Sequence, residues 1–220
     1  MILLIFIVDI LDNVKATKSI CSSVNITLSL TCYNARSLLC SMIIQFNYLQ
    51  GSYMQELILD KDVLITSKTD LKGNVLYCNK PFLDYAEYGE EEVLFKSHNI
   101  VRHEDMPKCV FKILWEHIKQ GQEAFAFVKN KTKYNNFYWV FANVTPNYNQ
   151  HNQIIGYYSV RRKANEAAIA VIDKIYKQTL QIEKTQGVNK SYNFILEYAK
   201  NANLTYNNLV LNLQRNGHVA

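Results

Sequence analysis

Residues 99–107 bring an unusual number of polar and charged side chains together. The run Asn-Ile-Val-Arg-His-Glu-Asp-Met-Pro contains Arg102, His103 and the carboxylates Glu104 and Asp105. None of these side chains can be buried without hydrogen-bonded partners, because each unpaired polar group costs several kcal/mol. The stretch is therefore either a solvated loop or the polar wall of a pocket.

Three of these side chains each allow a binding role and a structural role. The guanidinium of Arg102 suits a phosphate or a ligand carbonyl, or it pairs with Asp105 or Glu104 and braces the loop. His103 can hydrogen-bond a ligand edge or brace the same loop. Asp105 is expected above all to cap the helix that follows.

The remaining chemistry of the chain argues against catalysis. The sequence has no nucleophile elbow, phosphate-binding loop or metal-ligand spacing, so we expect a protein that is not an enzyme. The net charge of +5 is dispersed along the chain, whereas a nucleic-acid partner would require a concentrated basic stripe. Five cysteines without C-x-x-C spacing are typical of reduced thiols in the cytosol.

Short strands and helices surround the polar stretch. Runs of β-branched and aromatic residues predict five strands, at residues 63–69, 75–78, 124–131, 137–145 and 154–162. A first helix is expected to start at Asn79 as its cap and to end at Gly89. A helical turn at residues 90–95 and a longer helix from Pro107 to Gly121 are expected before the third strand.

The helix after Pro107 has a strong apolar face, made by Val110, Phe111, Leu114, Trp115 and Ile118. At this spacing Trp115 is more often a core residue than part of a ligand site. Because consecutive strands are joined by short turns, the sheet is predicted to be antiparallel, with the helices on one face and an α+β fold. The cleft between the sheet and the helices is where a small molecule is expected to bind.

The order of these elements resembles a PAS domain. Seven motifs between residues 58 and 163 are similar, in the same order, to the PAS domain of the aerotaxis-receptor type. They are Asp-Leu-Lys-Gly-Asn at 70–74, Asn-Lys-Pro-Phe at 79–82, His-Asn-Ile-Val-Arg-His-Glu-Asp-Met-Pro at 98–107, Val-Lys-Asn at 128–130, Tyr-Trp-Val at 138–140, Ala-Asn-Val-Thr-Pro at 142–146 and Gly-Tyr-Tyr-Ser-Val-Arg at 156–161. The motif at 98–107 is the most specific.

The resemblance implies a PAS fold, with a five-stranded antiparallel sheet, short helices on one face and further helices after it. It also implies a cytoplasmic sensor of redox or energy state in aerotaxis, which binds FAD and signals to a chemoreceptor. The positions that match the family's flavin-binding residues are Asn79, Arg102, His103, Asp105, Phe111 and Trp115. Reduction of the flavin would be felt by Arg102, His103 and Asn79, and the sheet would pass the change to the helix after Arg162.

Some positions depart from the family pattern, and they keep two alternatives open. Glu104 stands where relatives have proline, and Ala124 stands where some have a tryptophan that would stack on the flavin. Asn135 replaces a hairpin glycine, and asparagine tolerates the left-handed conformation. One alternative is a haem-based gas sensor with His103 or another histidine as an axial ligand. The other is a cofactor-free PAS adaptor whose pocket is filled by side chains, which Ala124 favours.

The sequence divides into three parts. Residues 54–163 are the predicted PAS domain. Residues 1–53 are an N-terminal extension that is either leader sequence preceding a natural start at Met54, or an amphipathic tail or membrane-associating segment. Residues 164–220 are expected to be helical and to carry the output. An apolar seam there is typical of a coiled coil and comprises Ala168, Ile172, Ile175, Thr179 and Ile182.

The seam has two expected uses. It docks on a partner, either a membrane-bound methyl-accepting chemoreceptor or another signalling protein, or on a second copy in a homodimer. Alternatively, the three C-terminal helices pack together as a small bundle. Cys78 and Cys109 are expected to be buried small apolar residues, with redox sensing as the less favoured interpretation.

Overall fold

Five strands and six α-helices make up residues 54–219, the part of the chain that a computed structural model describes. The predicted N-terminal extension, residues 1–53, lies outside that part. The strands are β1 (Ile65–Thr69), β2 (Val75–Cys78), β3 (Ala124–Lys131), β4 (Phe137–Tyr148) and β5 (Ile154–Lys163). The helices are α1 (Lys80–Ala86), α2 (Glu90–Val93), α3 (Lys108–Lys119), α4 (Glu166–Gln186), α5 (Val188–Asn201) and α6 (Tyr206–Asn216), with a 3-10 turn at His98–Val101.

The strands form one antiparallel sheet in the order β2-β1-β5-β4-β3, which confirms the predicted α+β fold. The central strands β1 and β5 are paired so that Ser67 lies opposite Ser159. Side chains alternate between the two faces of a strand, so Tyr157, Ser159 and Arg161 all point to the same face. That face, called the inner face below, lies under the helices that precede β3.

Helix α1 is fastened to the sheet by its cap, Asn79. The side-chain oxygen of Asn79 accepts hydrogen bonds from the Phe82 N–H, at 3.2 Å, and from the Thr66 N–H, at 3.0 Å. Its amide donates to the Leu64 carbonyl at 2.8 Å. The helix ends earlier than predicted, because Glu87 rather than Gly89 adopts the left-handed C-cap conformation, with φ of 58°.

The C-terminal helices α4, α5 and α6 pack together and against the sheet and α3. Four of the five seam residues are buried there, namely Ala168, Ile172, Ile175 and Thr179. The structure therefore has the expected small bundle of three helices, in which the seam packs within the chain. None of the helices between residues 54 and 219 is long and apolar enough to span a membrane.

The bundle closes the open edge of the sheet at β3. The Phe125 N–H donates to the Asn207 side chain at 3.2 Å, and the Tyr176 hydroxyl donates to the Phe127 carbonyl at 2.9 Å. The His103 N–H donates to the Lys129 carbonyl further along the same edge. Because unpaired strand edges invite pairing with other chains, these bonds protect β3 and bind the C-terminal helices to the sheet.

Replacing Asn79 by alanine tests its structural role. The change removes the cap of α1 and leaves two backbone groups, the Thr66 N–H of β1 and the Leu64 carbonyl just before it, without their side-chain partner. We therefore expect the free energy of unfolding to fall by about 2 kcal/mol. Urea denaturation measures this. The control is Asp84→Ala on the same helix, which removes an exposed ion pair with Lys80 and should cost only about 0.3–0.5 kcal/mol. Equal losses in the two variants would contradict the assignment.

Candidate ligand-binding pocket

A pocket lies between the inner face of the sheet and helix α3. Its apolar walls include two aromatic residues of α3, Phe111 and Trp115, and Tyr157 of β5. A water molecule's centre can occupy about 110 Å³ of it. One water needs roughly 10–15 Å³ by that measure, so the pocket has room for several waters or for part of an organic ligand. The polar side chains that line it are Ser67, Thr69, His98, Asn99, Arg102, Asn130, Ser159 and Arg161.

Arg161 is the charged centre of the inner end of this pocket. It is only 5% exposed, and its Nη2 donates to Ser67 Oγ at 2.7 Å and to His98 Nε2 at 2.6 Å. Its Nη1 and the hydroxyl of Ser159 are buried and have no hydrogen-bond partner. No carboxylate between residues 54 and 219 forms an ion pair with it. The inner end is therefore positively charged and has two unused donors.

His98 is neutral in this environment. Burial, together with the charge of Arg161, lowers the pKa of His98 to about 3. A guanidinium can only donate, so Nε2 of His98 is the acceptor and its proton resides on Nδ1. Burial also lowers the pKa of Arg161, to about 10, which leaves the guanidinium charged at neutral pH.

Arg102 lines the other polar part of the pocket. Its Nη2 donates to the Met106 carbonyl at 2.7 Å, and its guanidinium lies over the Phe111 ring, 4.6 Å from the ring centre. It does not make the expected ion pair with Glu104 or Asp105. Those carboxylates pair instead with Lys131 and Lys129 of β3, at 3.8 and 2.7 Å. The charge of Arg102 is thus held beside the pocket by an aromatic ring and a carbonyl.

Trp115 forms the wall opposite β5. Its ring meets that of Tyr157 edge to face, with centres 5.3 Å apart. The backbone of Gly73 comes so close that a Cβ at that position would lie 3.2 Å from the Trp115 ring. Ala124 is buried in the cluster formed by Tyr157 and Ile118, against which Trp115 packs. The alanine that replaces a family tryptophan therefore lies next to this wall.

Three of the six predicted ligand-binding residues line the pocket: Arg102, Phe111 and Trp115. His103, Asp105 and Asn79 do not, and the prediction that they face the pocket is not met. Arg102 and His103 are consecutive in extended backbone along the edge of β3, where neighbouring side chains point in opposite directions. Arg102 turns inward, so the ring of His103 packs against Phe137 and lies 3.3 Å from the sulfur of Met54.

The prediction that Asp105 caps α3 is wrong. Asp105 is exposed and bonded to Lys129, while Pro107 occupies the N-cap position and offers no side-chain hydrogen bond. The first N–H groups of α3, those of Lys108 and Cys109, donate instead to the carboxylate of Glu183, at 3.1 and 3.2 Å. An acidic group from helix α4 thus satisfies the positive end of the α3 dipole. Asn79 is committed to the α1 cap described above.

Arg161, Ser159 and His98 were not among the predicted site residues. The signal was present in β5, because Tyr157, Ser159 and Arg161 alternate with residues of the outer face and place a charge in the middle of a strand. The partner of that charge could not be read from the sequence. His98 is 63 residues away from Arg161, and it opens the same motif that supplies Arg102.

The two described cysteines show no sign of redox reactivity. Cys78 and Cys109 are buried, and burial raises the pKa of Cys109 to about 11. Burial also raises the pKa of Cys78. A thiol with a raised pKa forms little of the reactive thiolate, in line with the expectation that both act as small apolar residues.

The family model of the PAS fold matches residues 65–162, the region that contains the sheet, α3 and the pocket. This part of the chain is a PAS domain. Its sequence is similar to that of the aerotaxis receptor of Escherichia coli strain K12, with 36% identity over 119 residues, or 54% of this chain. The chain spans only 23% of the length of that receptor.

Two solved structures also resemble the chain. One comes from work with a flavin analogue on the mechanism of a light-oxygen-voltage domain, and it has 14% identity, a TM-score of 0.45 and coverage of 61% of this chain and 95% of its own. The other is a PAS domain of a protein from Colwellia psychrerythraea. It has 16% identity, a TM-score of 0.39 and coverage of 55% of this chain and 96% of its own.

Neutral His98 should make the stability of the protein depend on pH. Unfolded His98 takes up a proton near 6.5, but the folded residue does so only near 3, so the unfolded state binds more protons between these values. The free energy of unfolding should therefore decline as pH falls from 6.5, by up to about 1.4 kcal/mol per unit from this group.

Urea denaturation at pH 7.5, 6.5 and 5.5 measures this dependence. His98→Gln keeps an acceptor for Arg161 but cannot protonate, so its decline should be shallower than that of the wild type. His151→Gln, in the exposed turn between β4 and β5, should retain the wild-type slope. If His98→Gln also declined as steeply as the wild type, the burial of a neutral His98 would be refuted.

Proposed function

We propose that the PAS domain binds FAD and that the protein senses redox or energy state in aerotaxis. The observation that supports this most directly is the pocket itself, which combines aromatic walls with buried donors that lack partners. The similarity to a protein named for aerotaxis supports the signalling context. The proposed role is ligand binding and signalling rather than catalysis.

The chemistry of the pocket suits a flavin. A flavin ring is flat and apolar over its faces, and its edge carries carbonyl and ring-nitrogen acceptors. The pocket offers aromatic surfaces at Phe111 and Trp115 and donors at Arg161, Ser159 and Arg102, and its lining contains no carboxylate. The acceptor edge of the ring would therefore meet donors without a carboxylate to repel it.

The surface beside the pocket mouth suits the phosphates of the dinucleotide. A groove shares Gly73, His98, Asn99 and Trp115 with the pocket and carries three lysines, Lys72, Lys112 and Lys119. Its single carboxylate, Glu116, accepts a hydrogen bond from the Tyr192 hydroxyl at 2.6 Å. Lysines bind phosphate as point charges, so a pyrophosphate leaving the pocket here would be attracted.

A haem has less support from the same geometry. The predicted axial ligand, His103, lies outside the pocket, and Nε2 of the only lining histidine, His98, already accepts from Arg161. The cofactor-free adaptor is favoured by Ala124, which removes an aromatic surface. It would require rings to fill the space, yet the pocket is open between Trp115, Tyr157 and Phe111.

The bound flavin would supply a redox-active ring whose charge changes on reduction. Arg161 and Arg102 would respond to that charge, and α3 would shift with the ring packed against Phe111 and Trp115. Helix α3 is in turn held by the C-terminal helices, through Glu183 at its first N–H groups, Lys112 with Asn189 at 2.9 Å and Glu116 with Tyr192. These contacts provide a route to the output helices in addition to the sheet.

The output helices would then signal to a separate protein. In this proposal the partner is a membrane-bound methyl-accepting chemoreceptor, and the protein works in the cytoplasm at the membrane that holds this partner. Because the α4 seam is buried within the bundle, the partner would contact the outer surfaces of α4–α6. Binding to the seam itself would require the bundle to rearrange. Coupling free energies of about 1–3 kcal/mol are typical of such linkage.

An absorption spectrum of gently purified protein tests the cofactor. We expect a yellow protein with flavin bands that bleach on reduction, and FAD as the compound released when the protein is denatured. Protein that is purified without a cofactor should quench the fluorescence of added FAD. A colourless protein that takes up no FAD would refute flavin binding, and a haem Soret band would favour the gas-sensor alternative.

Hydrogen exchange tests the route through Glu183. Binding of FAD should slow amide exchange both at the start of α3 and at the α4–α5 junction, residues 183–191. In Glu183→Ala the cap is lost, so exchange at residues 108–109 should rise, and FAD should no longer protect residues 183–191.

The control is Glu197→Ala, which removes an exposed acid from α5 and should keep the wild-type response. FAD affinity should stay within about three-fold of wild type in both variants, because neither residue lines the pocket. If FAD slowed amide exchange at residues 183–191 in Glu183→Ala as much as in the wild type, the route through Glu183 would be excluded.

A further inference from the structure

Arg161 is buried among groups that are all neutral at physiological pH. Its Nη2 contacts Ser67 and His98, and the ring of Phe82 lies 5.4 Å from the guanidinium carbon. The nearby Tyr138 phenol is neutral because burial raises its pKa to about 12. A buried cation without a counter-charge is costly, because no ion pair offsets its loss of hydration. Its position therefore calls for a ligand that supplies the missing charge.

Two unused donors show where that ligand would bind. Nη1 of Arg161 and Oγ of Ser159 are both buried, both without partners and both part of the pocket lining. The two residues are two positions apart on β5, so their side chains stand side by side on the inner face. Ser67, opposite Ser159 on β1, holds the guanidinium in place. The donors thus form a fixed pair at the closed end of the pocket.

We propose that Arg161 and Ser159 form an anion-binding subsite at the inner end of the pocket, which takes a negatively charged or acceptor-rich group of the ligand. This inference rests on the proposed function, because it takes the pocket to hold a ligand. It adds which chemical group of that ligand the pocket selects. For a flavin, the group is the carbonyl edge of the ring or a phosphate. Neutral His98 supports the subsite by accepting from Arg161 without adding a competing positive charge.

Adjacent arginines on β5 allow a matched experiment. Arg161→Met removes the charge from the subsite, whereas Arg162→Met removes the same charge from an exposed residue on the outer face. FAD affinity should fall roughly 10- to 100-fold in Arg161→Met and less than about two-fold in Arg162→Met. Ser159→Ala, a milder change, should weaken FAD binding several-fold, and it keeps the test decisive if Arg161→Met folds poorly.

The melting temperature of the ligand-free protein separates a binding role from a structural one. If Arg161 is retained for a ligand, Arg161→Met should melt at the wild-type temperature or a few degrees above it, because an uncompensated buried charge has been removed. If Arg161 serves only to hold the fold together, Arg161→Met should melt well below the wild type and Ser159→Ala should bind FAD as tightly as the wild type does. These two results together would overturn the proposal.

Riboflavin and inorganic phosphate identify which group binds. An equal loss of affinity for riboflavin and FAD in Arg161→Met assigns the ring edge to the subsite. A loss confined to FAD, together with a phosphate-induced rise in melting temperature that Arg161→Met lacks, assigns a phosphate. Both outcomes support the subsite. Flavin affinities in Arg161→Met that match those in Arg162→Met would overturn it while leaving FAD binding intact.

The subsite can also be judged if the wild type binds no flavin, an outcome that rejects the proposed function. The comparison is then the melting temperature of each protein with and without inorganic phosphate. A rise in wild type and Arg162→Met that is absent from Arg161→Met supports the subsite. Equal responses in all three proteins, including none, would overturn it.

Discussion

The buried guanidinium of Arg161 is the interaction on which the pocket depends. Its hydrogen bonds to Ser67 of β1 and His98 of the 3-10 turn hold the guanidinium where these elements meet β5, so a single charge lies at their junction. Since no carboxylate between residues 54 and 219 forms an ion pair with that charge, the inner end of the pocket carries a positive potential. The aromatic side chains of α3 close the other side. The pocket therefore combines a flat apolar space with a single cationic end.

The position of this charge follows from the register of the sheet. Pairing of β1 with β5 brings Ser67 opposite Ser159, and strand alternation then places Arg161 on the same inner face. The open edge of β3 is closed by side chains of the C-terminal bundle, and Glu183 from that bundle completes the start of α3. The wall of the pocket and the C-terminal helices are thus parts of one packed structure.

Much of this fold could be predicted from local patterns, and the failures have physical causes. Residue type and spacing identified all five strands, the Asn79 cap and the apolar face of α3, because each depends on neighbours within a few positions. The orientation of His103 was wrong because the 102–103 backbone is extended, so one side chain must turn away when the other turns inward. The cap of α3 was missed because Glu183 lies 75 residues from Lys108. The importance of Arg161 depended on the absence of any acid near it, which only the assembled fold reveals.

The carboxylate of Glu183 has a consequence for where the unit that carries the pocket ends. A fragment that stops at residue 163 retains every residue that lines the pocket, yet it lacks the group that completes the first turn of α3 and the side chains that seal β3. Its pocket would contain the same residues, but α3 and β3 around it would be less ordered. The smallest unit that keeps the pocket in its complete frame therefore extends well past the last strand, into helices that contribute no atom to the cavity.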